Sequence, residues 1–79
     1  MKDFFDRRTS GLDTSLPSVR FVQDLIRARS PVSITLMGGQ QLEGTLKWQD
    51  DQYFALNQDD SQPLVLISRL AVAVIRSLG

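Results

Sequence analysis

The chain has 79 residues, and its nine lysines and arginines balance its nine aspartates and glutamates to a formal net charge of zero. It has no cysteine and no histidine, which excludes disulfides, thiolate metal sites and a histidine general base. A domain of this size buries little surface, and without such staples we expect association between subunits to supply part of its stability.

The first segment, residues 1–14, mixes charged and apolar side chains without a period and predicts a flexible N-terminal extension. This segment lacks the continuous apolar centre of a secretory signal, and no apolar run in the chain reaches the length of a membrane span. We therefore expect a cytoplasmic protein without membrane insertion, whose single folded domain occupies residues 15–79.

The stretch that follows predicts one amphipathic helix. Pro17 suits a helix start, and Pro31 marks the end because a residue that precedes proline avoids helical geometry. Arg27 and Arg29 lie in the last turn, where the helix dipole favours cations. Apolar residues at spacings of three and four, widened by two neighbours, form one face that comprises Val19, Phe21, Val22, Leu25 and Ile26.

From Pro31 the apolar period changes from helical to alternating, which predicts strands. The pair Gly38-Gly39 follows the first strand and predicts a hairpin turn, since glycine tolerates positive φ. One face of the next strand comprises Leu42, Gly44, Leu46 and Trp48. We expect Trp48 to pack inward, and the missing side chain of Gly44 to let the strand bend sharply over the core.

Residues 52–57, 64–67 and 70–75 predict three further strands, of which the last two are nearly all apolar. The fold class that follows is mainly β: one N-terminal helix and a bent, five-stranded antiparallel barrel of the SH3-like kind. Strands that are apolar on both faces need cover at their edges. A closed ring of identical copies supplies that cover, so we expect the barrel to assemble as a ring.

The segment SLPSVRFVQDLIRARSPVSITLMGGQQLEGTLKWQD, residues 15–50, resembles the Hfq branch of the Sm/LSm family, particularly the divergent cyanobacterial-type Hfq proteins. The resemblance covers about residues 15–75. It depends on the order of four features: Arg27-Ala28-Arg29, the PVSI entry into the first strand, Leu42-Glu43-Gly44, and an acidic residue that ends the second strand. It implies an Sm-like fold, a homohexameric ring and an RNA chaperone that brings small RNAs to messages in post-transcriptional regulation.

The resemblance also implies an RNA pocket on the helix-bearing face near the pore, formed by Gln52, Tyr53, Ser68 and Arg69. This assignment requires one extra residue after Trp48. Ser68-Arg69 stands where the family commonly has a Lys-His pair, so one cation remains and the histidine is absent. Single-stranded RNA, U-rich by the resemblance, is the expected ligand of this pocket.

Two further RNA surfaces are implied by the resemblance. Arg27 and Arg29 match the basic rim of the family. The opposite face is expected at Thr35, Met37 and Gln40, where Thr35 replaces the aromatic residue that stacks on adenine. We therefore expect weakened RNA binding, with no A-rich RNA held on that face in the usual way.

Structural alternatives stand beside these roles. The rim arginines are also explained as a solvated helix end, and Tyr53 as a core or interface residue. Arg69 interrupts an apolar run, and a cation there favours an ion pair with Asp50 or Asp51.

At the level of function, an enzyme is not expected. Asp50 and Asp51 are neighbours in an extended segment and point to opposite faces, unlike a catalytic pair. The sequence has no nucleophile–base pattern, phosphate loop or metal-ligand spacing, and no cofactor is expected. The alternative to an RNA regulator is a ring-shaped scaffold or adaptor whose main partner is a protein, which the zero net charge and the changes at Thr35 and Ser68 favour.

Overall fold

The computed structural model describes residues 12–79. The extension predicted over residues 1–14 falls largely outside the described residues, so the domain boundary at residue 15 stays a prediction. The regular elements in chain order are α1 (Pro17–Ala28), β1 (Pro31–Leu36), β2 (Gln41–Gln49), β3 (Tyr53–Asn57), β4 (Val65–Ser68), a 3-10 turn (Arg69–Ala71) and β5 (Val72–Ser77).

The helix α1 begins at Pro17, as predicted, and it buries Val19, Val22 and Leu25 against the sheet. Phe21 was expected to belong to this apolar stripe, but its side chain is 49% exposed. At 100° per residue Phe21 lies beyond Leu25 at the margin of the stripe, where the sheet no longer covers the helix. The prediction for Phe21 was therefore wrong, while those for the three buried residues are confirmed.

All five strands form one antiparallel sheet in the order β4-β3-β2-β1-β5, which confirms the predicted helix followed by five strands. The turn expected at Gly38-Gly39 joins β1 to β2, and Gly39 has the positive φ, 96°, that favours glycine there. Gly44 of β2 is required for a different reason, which is the lack of space for a side chain. A Cβ atom at this position would collide with the backbone carbonyl of Asn57, so the glycine admits a close approach of β3.

An irregularity in β2 overturns the expectation for Trp48. The pairing of β2 with β3 shifts between Leu46, opposite Leu56, and Trp48, opposite Ala55. One extra residue on one strand is a β-bulge, and it reverses which side chains face inward. Trp48 is consequently 41% exposed instead of packed in the core.

The core lies between α1 and the concave side of the sheet. Val32, Ile34 and Leu56 are fully buried, and Leu46 is 2% exposed. The buried cluster comprises Val22, Leu25, Val32, Ile34, Leu46, Phe54, Leu56 and Ile67. It draws on the helix and on β1 to β4, so the site residues described below are held by one packed unit.

The strands β4 and β5 are the two edges of the sheet. A strand was predicted from Leu70, but β5 begins at Val72 and Leu70 lies in the 3-10 turn, 92% exposed. The Ser68 hydroxyl accepts the Leu70 backbone N–H at 3.2 Å, which favours the turn over an extended chain. Apolar side chains are exposed on both edges, with Leu66 of β4 at 52% and Val74 of β5 at 42%.

Candidate functional site

A surface cleft of about 290 Å³ lies where the β2–β3 turn meets the turn between β4 and β5. Its lining residues are Asp51, Gln52, Tyr53, Ser68, Arg69 and Leu70, and we refer to it as the Arg69 cleft. The structure thus brings together the four residues that the sequence assigned to the helix-face pocket. They come from two segments, which are joined by a hydrogen bond from the Arg69 backbone N–H to the Gln52 carbonyl at 2.9 Å.

Asp50 shapes the turn that presents Gln52 and Tyr53. One Asp50 carboxylate oxygen accepts the backbone N–H of Gln52 at 2.9 Å and that of Tyr53 at 2.7 Å. These two hydrogen bonds favour the ionised form and lower the pKa of Asp50, to which the nearby Arg69 charge adds. Tyr53 is 39% exposed and lines the cleft.

Arg69 is held by groups other than the expected carboxylates. Its Nη1 atom donates to the Gln49 side-chain oxygen at 3.1 Å and to the Asp50 backbone carbonyl at 3.0 Å. The guanidinium carbon lies 4.3 Å from the centre of the Phe54 ring, a cation–π distance. Among residues 12–79 the one salt bridge joins Arg27 to Asp24, so the predicted ion pair of Arg69 is not formed.

The charge of Arg69 survives this partial burial. Burial lowers the pKa of the Arg69 guanidinium, and the charges of Asp50 and Asp51 act in the opposite direction. An arginine pKa starts so high that the group stays protonated at neutral pH. The Arg69 cleft therefore offers a cation, an amide, a hydroxyl and an aromatic face to a ligand.

The rim residues lie in a second cleft, of about 510 Å³, between the end of α1 and β2. Its lining includes Arg27, Arg29 and Lys47, with Asn57 at the end of β3 and Asp60 in the turn that follows, and we refer to it as the rim cleft. Three cations thus face one acidic side chain. Arg27 also contacts Asp24 at 3.3 Å, but both side chains are more than 70% exposed, so this salt bridge holds Arg27 only weakly.

Arg29 occupies the left-handed conformation that ends α1, with φ 53° and ψ 38°. Its N–H bonds to the Ile26 carbonyl, and the Ser30 N–H bonds to the Leu25 carbonyl at 3.1 Å, which is the Schellman arrangement. Glycine is the usual residue here because a side chain costs free energy in this conformation. Arg29 therefore carries a conformational cost that glycine at this position would avoid.

Opposite-face residues lie at the end of β1 and in the following turn. Thr35 is half-buried, whereas Met37 is 71% exposed and Gln40 is exposed. The Met37 N–H donates to the Ala71 carbonyl at 2.7 Å, which joins this turn to the 3-10 turn. The three predicted residues are neighbours, but they offer no aromatic ring.

Sequence reasoning missed Lys47, which lines the rim cleft, and Gln49, whose side chain holds Arg69 without lining the Arg69 cleft. Lys47 alternates outward along β2, and nothing in the sequence joined it to the distant end of α1. Gln49 was assigned no role because only the bulge in β2 turns it toward Arg69. In the sequence, Lys47 and Gln49 are polar residues without an assigned role, and both lie next to the extra residue that was expected after Trp48.

Known proteins of similar sequence and fold identify the family of this chain. A family model described as "Hfq related" matches residues 16–77. The chain belongs to this Hfq-related family. A solved structure of an Hfq protein from Anabaena sp. is 32% identical to this Hfq-related chain. It covers 78% of the chain and 97% of its own length, with a TM-score of 0.70.

A second solved structure shows the fold at lower identity. It is described as the pleiotropic translational regulator Hfq, is 17% identical, and superposes with a TM-score of 0.69. It covers 75% of this chain and 95% of its own length. Curated protein sequences give no match. The predicted Sm-like fold and the resemblance to divergent cyanobacterial-type Hfq are both confirmed.

Two features are absent from the part of this Hfq-related chain that the structure describes. Within residues 12–79, no helix is both long and apolar enough to span a membrane. Over the same residues, acidic side chains do not gather in a group of three that suits a metal ion.

Proposed function

We propose that this Hfq-related chain is a subunit of a cytoplasmic homohexameric ring that binds single-stranded RNA as a chaperone in post-transcriptional regulation. The observation that carries the proposal is the Arg69 cleft, where two separate segments of the chain meet, one with Gln52 and Tyr53 and the other with Ser68 and Arg69. Membership of the Hfq-related family supports a shared role for these residues in binding RNA, and no catalytic role is proposed for them.

The chemistry of the Arg69 cleft suits an unstacked base. Single-strand binders stack bases on aromatic rings and read base edges with hydrogen-bonding side chains. Tyr53 supplies the ring, and the Gln52 amide both donates and accepts. Uracil presents two carbonyl acceptors and one N–H donor, and Gln52 with Arg69 complements that edge. U-rich RNA is therefore the proposed ligand.

The rim cleft supplies phosphate contacts. Arg27, Arg29 and Lys47 line one concave surface, and arginine binds phosphate oxygens in a bidentate manner. Repetition around a ring multiplies this patch, so a chain of zero net charge still presents a local positive field. Such contacts fix the path of an RNA strand without reading its sequence.

Ring formation is supported by the two open edges of the sheet. The β4 edge of one copy has unpaired backbone groups beside Leu66, and the β5 edge of the next has them beside Val74. Pairing β4 with β5 of a neighbour continues the antiparallel sheet and covers both apolar side chains. The Arg69 cleft adjoins this junction, since Ser68 ends β4 and Arg69 follows it.

Weakened RNA binding is supported by the state of Arg69. Its Nη1 atom is engaged by Gln49 and Asp50, and its face is engaged by Phe54. These contacts occupy Nη1, so RNA finds fewer free N–H donors on Arg69 than on a fully solvated guanidinium. Thr35 also favours weakened RNA binding, because on the opposite face it cannot stack on a base.

Native mass spectrometry with and without a short oligouridylate tests the proposal. We expect a mass of six protomers, a shift on RNA addition, and an affinity that falls steeply with salt as counterions are released. The double substitution Arg27→Ala with Arg29→Ala should weaken binding, whereas Arg20→Ala, outside both clefts, is the control. An affinity that the double substitution leaves unchanged would contradict the rim assignment.

A protein-binding scaffold is the second candidate, and one observation favours it. Leu70 is 92% exposed and Met37 is 71% exposed, and the Met37–Ala71 hydrogen bond holds their two turns together. Exposed apolar side chains close together suit a protein surface better than a phosphate backbone. Parallel capture of RNA and of proteins by the tagged ring separates the candidates, since an RNA regulator retains RNA in preference to protein.

A further inference from the structure

A chain of hydrogen bonds crosses from α1 to the Arg69 cleft through the side chain of Gln49. The Gln49 Nε2 atom donates to the Val19 backbone carbonyl at 3.2 Å and to the Gln23 side-chain oxygen at 3.1 Å. The Gln49 Oε1 atom accepts from Arg69 Nη1 at 3.1 Å. We refer to this side chain, with its contacts, as the Gln49 strut.

Only one orientation of the Gln49 amide satisfies these partners. A backbone carbonyl can only accept, so the nitrogen of the amide must face Val19. A guanidinium can only donate, so the oxygen must face Arg69. Glutamate at this position would present an oxygen to the Val19 carbonyl, and lysine would present a cation to Arg69. Glutamine has a donor and an acceptor at the required ends.

The bulge in β2 is what places the Gln49 strut. Gln49 pairs with Phe54, and directly opposed residues of an antiparallel pair lie on the same face of the sheet. Phe54 is 4% exposed, so Gln49 shares the covered side with it, beneath α1. Unbroken alternation from Leu46 would have placed Trp48 there instead and left Arg69 without this acceptor.

We propose that Gln49 is a positioning residue that fixes the Arg69 guanidinium for the ligand of the Arg69 cleft. Both contacts, to Gln49 and to the Asp50 carbonyl, use Nη1, and the hydrogen bonds among residues 12–79 leave Nε and Nη2 for the cleft. Those two atoms form an edge with parallel N–H donors, which suits an RNA oxyanion or base carbonyl. Fixing this edge removes the entropy cost of ordering a long side chain on binding.

This inference rests on the proposed function, and its test has a readout that does not require RNA. Hydrogen bonds at Nη1 slow rotation about the Cζ–Nη bond, so NMR should resolve separate Nη signals for Arg69 in the full chain. Gln49→Met keeps the volume and apolar stem but removes the amide, which leaves the Asp50 carbonyl as the remaining acceptor at Nη1, so these signals should exchange faster and move toward merging. Gln23→Glu keeps the acceptor for Gln49 and should retain the wild-type signals, while Gln62→Met, in a distant turn, is the surface control.

RNA binding supplies the second readout. Gln49→Met should bind a short oligouridylate about threefold to tenfold more weakly, the worth of about one hydrogen bond. The slope of affinity against salt should not change, since the charge of Arg69 remains. Arg69→Met, in contrast, should lower that slope by about one phosphate contact.

Two results would overturn the inference. The first is Gln49→Met with wild-type Arg69 signals, which would mean that the strut does not fix the guanidinium. The second is Gln49→Met with merged signals and an equal or tighter affinity, which would mean that fixing Arg69 does not serve binding. A wild-type chain that binds no oligouridylate would overturn the proposed function, and the Arg69 signals would still decide whether Gln49 fixes the side chain.

Discussion

At the scale of single residues, Gly44 shows how one missing methyl group permits a strand contact. A Cβ atom there would lie 2.9 Å from the Asn57 carbonyl carbon and 3.0 Å from the Gln58 Cα, and both are backbone atoms that cannot rotate away. Gly44→Ala should therefore destabilise the protein by about 2 kcal/mol, the usual cost of an overpacked core. Urea unfolding at a fixed protomer concentration measures this cost.

The control is Gly38→Ala in the β1–β2 turn. A Cβ atom at Gly38 meets nothing within 4 Å, and its φ is not positive, so this substitution should leave the midpoint almost unchanged. Equal destabilisation by both substitutions would show that the Asn57 contact does not explain the glycine at position 44, because the loss of backbone entropy in the unfolded chain favours alanine at both positions.

Asp50 is the residue that should make the cleft sensitive to acid. Its pKa is lowered below 3.8 by the N–H groups of Gln52 and Tyr53, so the folded state binds the proton less readily than the unfolded chain. The stabilisation is complete above the unfolded value of about 3.9 and is lost as the pH falls through the lower folded value. The Tyr53 amide signal in NMR should titrate with a midpoint below the ordinary pKa of an aspartate.

Asp50→Asn should abolish that titration of the Tyr53 amide. Asp51→Asn removes the neighbouring carboxylate while keeping the Asp50 turn, so it should leave the titration in place. If the Tyr53 signal instead responded to Asp51→Asn alone, the assignment of the turn to the Asp50 carboxylate would be wrong.

At the scale of elements, Arg29 at the end of α1 places a charge at the rim cleft but lowers the stability of the fold. Arg29 takes a left-handed conformation in which glycine is preferred, so Arg29→Gly should raise the free energy of unfolding by about 0.5–1 kcal/mol. The same substitution should weaken oligouridylate binding, because one cation leaves the rim cleft. Thermal unfolding and RNA titration on one sample give both quantities.

Higher stability together with weaker RNA binding in Arg29→Gly would show that Arg29 serves binding and not only the end of the helix. Arg20→Gln removes a charge from an ordinary helical position of α1 and should change neither quantity much. A variant Arg29→Gly that is more stable and binds RNA as tightly as the wild type would leave the strained arginine without a role at the rim.

The elements also show which features a sequence can predict. Pro17, Pro31 and Gly39 act through local backbone geometry, so the helix bounds and the first turn followed from them directly. Trp48 and Leu70 were misplaced because a bulge and a 3-10 turn depend on pairing and hydrogen bonds with residues elsewhere. Periodicity carries no information about an extra residue in a strand.

The same distinction between local and long-range features applies to the candidate site. The meeting of Gln52 and Tyr53 with Ser68 and Arg69 was predicted through resemblance to a family, since no local pattern joins the two segments. Gln49 escaped prediction because its role exists only after the bulge has turned it beneath α1. Residue types at single positions were thus less informative than the register of β2 against β3.

At the scale of the whole molecule, the two open edges of the sheet connect stability with function. A protomer of this size has little core, and in the proposed ring its exposed edge residues would be covered by another copy. Leu66→Asp places a charge on the β4 edge, where a neighbour would have to bury it, at a cost of several kcal/mol per interface. Native mass spectrometry at micromolar concentration should show a ring for the wild type and monomers for this variant.

Leu16→Asp is the matched control for that experiment. Leu16 is 48% exposed and Leu66 is 52% exposed, so both substitutions add a charge at a similarly accessible leucine. Leu16 precedes α1 and lies on neither sheet edge, so its variant should remain a ring. Since the Arg69 cleft adjoins the β4 edge, monomeric Leu66→Asp should also lose affinity for oligouridylate through the loss of neighbouring sites. A wild-type chain that is folded and monomeric at this concentration would exclude pairing of β4 with β5 as the basis of assembly. A Leu66→Asp variant that forms a ring with the same number of protomers as the wild type would exclude it as well.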